Sequence, residues 1–295
     1  MSSLDRALGG HKPLAATLNG WLTLARISNS PTVASDALAG AALAGVIEPT
    51  GTVALIVVAM VLFYTAGMLL NDICDYAWDV IHRPDRPLVV GLVARKTALA
   101  AVLGLFGAGS LLLGLVSPTA VVSGLVLIGA IVGYDAWHKS NPLSPLVMAA
   151  CRALVYVTAF VAFAWPLTTR AWIAAALLAA YLIGLTAIAK SERRPTVVGY
   201  WPAALLFLPL VYFAFQVPPA GLVLIVALGA WVVYSTRFVY RVDGRNIGTA
   251  IGHLIAGISL VDALVLAASG ALVGVALALA AFGLTLFFQR YIEGT

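Results

Sequence analysis

The sequence predicts an all-α polytopic membrane protein, a bundle of about nine to ten transmembrane helices. Of its 295 residues, 62% are hydrophobic and 10% are charged, and the mean hydropathy is +1.02. So few charged residues cannot cover the water-facing surface of a soluble chain of this size. The composition therefore excludes a soluble enzyme, a nucleic-acid-binding module and a disordered chain. The two cysteines, Cys74 and Cys151, are too few for a disulfide framework and lack metal-ligand spacing.

Ten apolar segments are long enough to cross about 30 Å of hydrocarbon as helices. They lie near 30–48, 52–71, 97–117, 118–135, 143–165, 171–189, 197–217, 219–240, 247–268 and 270–289. Asp36 and several small residues interrupt the first segment, and the last four could equally hold three spans and a re-entrant piece. With no repeat of 20–50 residues evident, we expect one membrane domain over residues 1–295.

The segment before the first span is polar. Residues 1–27 carry five charged or titratable side chains between short apolar runs: Asp5, Arg6, His11, Lys12 and Arg26. Because a signal peptide needs a longer apolar stretch, we expect a cytoplasmic N-terminal segment without cleavage.

Basic residues gather on one side of the predicted membrane. If the chain crosses the membrane ten times in alternating directions, fifteen of the seventeen Lys and Arg residues lie on one side. Arg170 then lies on the opposite side and Arg152 lies inside a span. The positive-inside rule makes that side the cytoplasm, and we expect a prokaryotic inner membrane. Asp72, Asp75 and most other carboxylates fall on the same side, which the rule does not require.

Three carboxylates stand at the end of the second span, in Met68 to Ala94. If that helix continues past Leu70, Asp72, Asp75 and Asp79 fall at i, i+3 and i+7 and share one helical face with Asn71. Such carboxylates repel one another unless a cation lies between them, and oxygen ligands beside a phosphate suit Mg²⁺. Two prolines then end the helix and present Arg83 and Arg86 to phosphate oxygens.

This pattern resembles the first aspartate-rich motif of the UbiA superfamily of intramembrane prenyltransferases. The similar residues are Asn71-Asp72-x-x-Asp75-x-x-x-Asp79, followed by Arg83-Pro84-x-Arg86-Pro87. Arg26-Ile-Ser-Asn-Ser-Pro31-Thr is similar to the entry of that family's first helix, and Arg152 matches a basic position of its fifth. The resemblance implies helices around a lipid-accessible cavity, Mg²⁺ as cofactor and an isoprenoid diphosphate as donor.

The second acidic motif of that family is incomplete here. After the sixth span stand Lys190, Glu192, Arg193 and Arg194, so one carboxylate lies among three cations and a second metal site is doubtful. This departure, with Asp36 and Asp262 inside spans, is similar to the EboC-like branch, which implies a small, polar cyclic acceptor.

Each candidate residue receives an expected role. Buried Arg152 needs a partner, either a structural pair with Asp36 or Asp262 or the donor phosphate; Asp262 is either a structural hydrogen-bonding residue or a site for the acceptor. We expect catalytic roles for Asp72, Asp75, Lys139 and Arg152; substrate binding by Asn71, Arg83, Arg86, Lys190, Glu192, Arg193 and Asp262; and metal binding by Asp72, Asp75 and Asp79.

The sequence favours Mg²⁺-dependent transfer of a prenyl or polyprenyl group to an acceptor at the cytoplasmic membrane face. A transporter or a non-catalytic lipid-binding protein on a degenerate version of this fold is the alternative, although a transporter would carry polar residues across the membrane. A phosphatidyltransferase requires a longer motif than Asp243-Gly244 offers. A phosphoribosyl compound remains an alternative donor to the prenyl diphosphate.

Overall fold

Eleven α-helices make up most of the described chain. The computed structural model describes residues 14–138, 141, 143–191, 199–241 and 244–292. The helices are α1 (Leu14–Leu24), α2 (Ser30–Leu43), α3 (Gly51–His82), α4 (Arg95–Gly114), α5 (Pro118–Trp137), α6 (Ser144–Val161), α7 (Thr169–Lys190), α8 (Trp201–Phe213), α9 (Leu222–Tyr240), α10 (Ile247–Ala268) and α11 (Leu272–Phe288). These ranges contain no strand, which confirms the all-α prediction.

Local signals in the sequence fix several helix starts. Thr50 accepts a hydrogen bond from the Val53 amide at the start of α3, and Asn246 does the same for the Thr249 amide in α10. Prolines occupy the first turns of α2, α5, α6 and α8, where the missing amide hydrogen costs nothing. The starts of these helices are therefore determined by residues at or next to their first turns.

Helix α10 is the centre of the bundle. Sixteen of its 22 residues are buried, and it contacts α2, α7, α9 and α11. Helices α4 and α5 instead expose leucine and valine side chains, such as Leu103, Leu111 and Val122. Because such faces are stable only against an apolar medium, the arrangement is that of a multi-pass membrane protein.

The number of spans differs from the prediction. In the described residues, seven helices are long and apolar enough to cross a membrane: α3, α4, α5, α6, α7, α9 with the turn before it, and α10. Helices α8 and α11 are shorter apolar helices, and α2 ends at Leu43 rather than near residue 48. The count of nine to ten spans is thus not confirmed, and α1 adds a helix inside the segment predicted to be an N-terminal extension.

Candidate active site

The three predicted metal-binding carboxylates lie on one continuous helix. Helix α3 continues past Leu70 to His82, as the spacing of the acids requires, because no glycine or proline lies between Leu70 and Pro84. Asp72 and Asp79 are buried, whereas Asp75 is 18% exposed. The acids therefore stand at the end of the longest helix, beside the interior of the bundle.

Asp72 lies between two arginines. Arg26 Nη2 donates to Asp72 Oδ1 at 3.2 Å and to Asn71 Oδ1 at 3.3 Å, and Arg86 Nη1 lies 3.8 Å from Asp72 Oδ2. Arg26 has a left-handed backbone (φ 42°) in the bend between α1 and α2, which turns its side chain towards α3. These cations offset the repulsion between neighbouring carboxylates.

The end of α5 contributes a second set of polar groups. Asn71 Nδ2 donates to Asp135 Oδ1 at 3.0 Å, and His138 Nε2 lies 3.6 Å from Asp75 Oδ1. The interaction with Asp75 raises the pKa of His138, outweighing the opposing effect of its partial burial. The ring of Tyr134 stacks on that of His138, with centroids 5.0 Å apart. Helix α5 thus closes one side of the acid cluster.

A mostly apolar cavity of about 200 Å³ opens beside these residues. Arg26, Tyr134 and Asp135 line its polar end, next to the acids. The other lining residues are Asn29, Val33, Met60, Phe63, Tyr64, Gly67, Met68, Leu127, Ile131, Met148, Cys151, Arg152, Val155, Leu182, Leu185, Ile255 and Ile258. Phe63 precedes Asp72 by nine residues, so the apolar part extends roughly 14 Å from the acids along α3. A ligand with an anionic head and an apolar chain matches this distribution.

The chemistry of the donor set fits a hard divalent cation. Asp72, Asp75, Asp79 and Asn71 offer oxygen atoms, and Asp72 Oδ2 and Asp135 Oδ2 are buried without a hydrogen-bond donor in the described part of the chain. In that part, however, no three His, Cys, Asp or Glu side chains converge on one point. The carboxylate of Asp72 is held by arginines and that of Asp75 by His138.

A separate polar group lies deeper among the helices. Arg152 Nε forms an ion pair with Asp36 Oδ2 at 3.0 Å, and Arg152 Nη2 donates to Thr32. Asp262 accepts hydrogen bonds from Ser35 and from Tyr156. Arg152 lines the cavity, while Asp36 and Asp262 lie one helical turn beyond lining residues of α2 and α10. Of the partners expected for Arg152, the structure shows the pair with Asp36.

The remaining predicted residues are spread over the same end of the bundle. Lys190 Nζ donates to Ser144 Oγ at 2.7 Å, which ties the end of α7 to the start of α6. Arg83 is exposed directly after α3. Lys139, Glu192 and Arg193 lie outside the described residues.

Sequence reasoning did not assign a site role to Arg26 or His138. The available signal was Tyr134-Asp135-x-x-His138, because an acid and a histidine three residues apart at the end of an apolar span face the same way. Arg26 was noted only as the start of the segment that is similar to the entry of the family's first helix, and that similarity did not indicate a contact with the acids.

The comparisons with known proteins agree on one family. The sequence profile of the UbiA prenyltransferase family matches residues 33–251. The digeranylgeranylglyceryl phosphate synthase of Methanoregula boonei is 38% identical over 135 residues, 42% of this chain and 44% of that protein. The synthase of the same name from Methanothrix thermoacetophila is 28% identical over 124 residues, 42% and 46% of the two chains. The matched region thus spans less than half the length of these curated relatives.

Solved structures share the fold. The apo structure of a UbiA homolog from Aeropyrum pernix K1 has a TM-score of 0.63 at 18% identity and covers 83% of this chain and 96% of that one. The structure of a UbiA homolog from Archaeoglobus fulgidus bound to GPP and Mg²⁺ has a TM-score of 0.62 at 15% identity, with 87% and 99% covered. At these identities the likeness concerns the fold.

Proposed function

The chain belongs to the UbiA prenyltransferase family, and from that premise we propose that it transfers a prenyl group from a prenyl diphosphate to an acceptor molecule. The observation that carries the proposal is an apolar cavity whose polar end is lined by Arg26, which holds Asp72 together with Arg86. The proposed orientation places this end at the cytoplasmic face of the membrane, because basic residues gather there.

The polar end of the cavity suits the diphosphate. Asp72, Asp75, Asp79 and Asn71 would hold Mg²⁺, which when bound supplies positive charge to the phosphate oxygens. Arg26 and Arg86 approach the same carboxylate from two directions. Their guanidinium groups are within reach of a neighbouring phosphate, to which arginine can donate two hydrogen bonds.

The reaction breaks the bond between the allylic carbon and the diphosphate oxygen, and the diphosphate leaves with the electron pair. Negative charge therefore grows at the end of the cavity where Arg26 and Arg86 lie, and fixed cations stabilise it without reorganising. Positive charge develops on the carbon next to the diphosphate, at the polar end of the cavity, where the aromatic face of Tyr134 favours a cation. The apolar wall keeps water away from that carbon until the acceptor forms the new bond and loses its proton.

A binding and turnover experiment tests the proposal. Purified protein in lipid nanodiscs is incubated with Mg²⁺ and prenyl diphosphates of several lengths, and diphosphate release is measured with and without a cell extract as the source of acceptor. We expect Mg²⁺-dependent donor binding and extract-dependent release, both abolished by chelation. Donor binding without release for any extract would instead indicate a non-catalytic lipid-binding protein.

A matched pair of variants controls for non-specific effects. Asp72→Asn keeps the size of the side chain but removes the charge between Arg26 and Arg86. Asp85→Asn removes a carboxylate from the exposed loop after α3, thirteen positions later. Loss of Mg²⁺-dependent binding in the first variant alone supports the site, and equal behaviour of both would refute it.

A further inference from the structure

Two acids and one arginine form a buried cluster behind the wall of the cavity. Asp36 on α2 and Asp262 on α10 are both 0% exposed, and Arg152 on α6 reaches from them to the cavity. The prenyl transfer proposed above uses neither acid. Because an uncompensated charge inside a membrane bundle is costly, such a cluster must balance its charge internally.

The two carboxyl groups have different surroundings. Asp262 accepts from Ser35 and from the Tyr156 hydroxyl, the latter at 2.5 Å, and Ser259 lies 3.0 Å from Ser35 and extends this chain of hydroxyls. Asp262 is therefore well supplied with donors and suited to carry the negative charge.

Asp36 lacks such donors. Its Oδ2 forms the ion pair with Arg152, but neither oxygen accepts a hydrogen bond from any described residue. Ser35, whose hydroxyl donates to Asp262, directly precedes Asp36 on α2, so the two buried carboxyl groups lie in one cluster with a single arginine. Two ionised carboxylates in such a cluster would repel each other and leave one negative charge without a counterion, whereas one bound proton removes both costs. Arg152 and Tyr156 are the other titratable groups that act on the pair in the described residues.

We propose that Asp36 and Asp262 share one proton, so that the cluster with Arg152 is electrically neutral and selects an uncharged acceptor at the cavity wall. The two acids are positioning residues, since they act on the acceptor through Arg152. An acceptor with a phosphate or carboxylate beside Arg152 would add an unbalanced negative charge to this buried neutral group. The acceptor part of the inference rests on the proposed prenyl transfer.

The position of Arg152 indicates that it contacts the acceptor rather than the donor diphosphate. Its guanidinium carbon lies 6.0 Å from the centre of the Tyr64 ring. Tyr64 precedes Asp72 by eight residues on α3, so this point is roughly 12 Å deeper along the helix than the acids. The diphosphate belongs beside Asp72, so a polar group that meets Arg152 belongs to a second molecule.

Infrared spectroscopy tests the shared proton without any turnover. The wild-type protein at neutral pH should show the carbonyl band of a protonated carboxylic acid that is lost in Asp36→Asn and equally in Asp262→Asn. Each single variant leaves one ionised carboxylate, to which the new amide can donate, so the fold should persist. Asp85→Asn, in the exposed loop, should leave the band unchanged. A band that survives in both single variants, or a wild-type spectrum without it, would overturn the shared proton.

Arg152→Gln gives an independent check that avoids removing an acid. Without the guanidinium, the remaining negative charge has no counterion, so both carboxyl groups should be protonated and the acid band should grow. An unchanged band in Arg152→Gln would contradict the charge balance.

Acceptor selectivity tests the second half of the inference. The probes are a geranylgeranylglycerol ether and its phosphate, which differ only in charge, assayed for kcat/KM with the same prenyl diphosphate. The wild type and both single variants should prefer the uncharged ether, by about tenfold or more, and the double variant Asp36→Asn/Asp262→Asn should prefer the phosphate. A wild-type preference for the phosphate would refute the selectivity. Absence of transfer to either probe and to a cell extract would refute the proposed function, while the infrared result still decides the shared proton.

Discussion

Gly40 on α2 lies directly against the backbone of α6, beside the buried charge cluster. A Cβ atom built at Gly40 would lie 2.6 Å from the Tyr156 carbonyl oxygen and 2.7 Å from Ala159 Cβ. The Tyr156 carbonyl belongs to the α6 backbone, and the Ala159 side chain is too short to move aside. We therefore predict that Gly40→Ala forces the two helices apart and disturbs the contact between Asp36 and Arg152.

The size of the effect follows from these distances. Ordinary contact begins near 3.4 Å, so α2 must shift by about 0.8 Å at this point. Overpacking of this kind costs about 1–3 kcal/mol, and alanine regains about 0.5–1 kcal/mol in a helix relative to glycine. The ion pair between Asp36 and Arg152, now 3.0 Å long, lies four residues from Gly40 and would lengthen with the shift.

Gly107→Ala is the matched control. Gly107 is also inside a helix, α4, but no atom lies within 4 Å of its built Cβ, so alanine should stabilise the protein by about 0.5–1 kcal/mol. Thermal unfolding of both variants in the same detergent, with kcat/KM of each, separates close packing from helix propensity. The reasoning fails if Gly40→Ala is as stable as Gly107→Ala and retains wild-type activity.

Three further predictions concern the acids and the orientation. Asp75→Asn should weaken Mg²⁺-dependent binding of geranyl diphosphate by more than about tenfold, because a charged ligand is lost, and unchanged affinity in a folded variant would refute the metal role. In a background without the two native cysteines, an impermeant maleimide applied to intact cells should label Glu48→Cys and not Asp85→Cys; the opposite pattern would reverse the orientation. Glu192→Gln should reduce turnover less than Asp75→Asn, since cations surround Glu192, and a larger loss would indicate a second metal site there.

The helix that carries the acids was predictable because its signals are local. Three carboxylates at i, i+3 and i+7 share a face only in a helix, and α3 extends to His82, just before Pro84. The short helix α2 was harder to predict. Its apolar run includes Asp36 and several small residues, and it ends two residues before Gly45, which adopts a left-handed backbone (φ 92°).

The cations around the acids were not predictable in the same way. Arg26 and Asp72 are 46 positions apart, and their contact depends on the left-handed bend at Arg26. The sequence placed Arg26 on the basic side of the membrane and in a segment similar to the entry of the family's first helix, but neither observation indicated a contact with Asp72. His138 meets Asp75 only because α5 packs against α3.

The buried cluster of Asp36, Arg152 and Asp262 was partly predictable from the sequence. An arginine inside an apolar span must have a partner, and the sequence offered Asp36 and Asp262 as the acids at comparable depth. The need for an acidic partner could not decide between Asp36 and Asp262, because the pairing depends on which of their helices lies nearer to Arg152. Glycine at position 40 allows α2 to approach the α6 backbone, and Asp36, one turn before it, thereby comes within 3.0 Å of Arg152. Asp262 then completes the charge balance from α10, held by Ser35 and Tyr156. The absence of a side chain at Gly40 thus determines which acid pairs with the cation that faces the cavity.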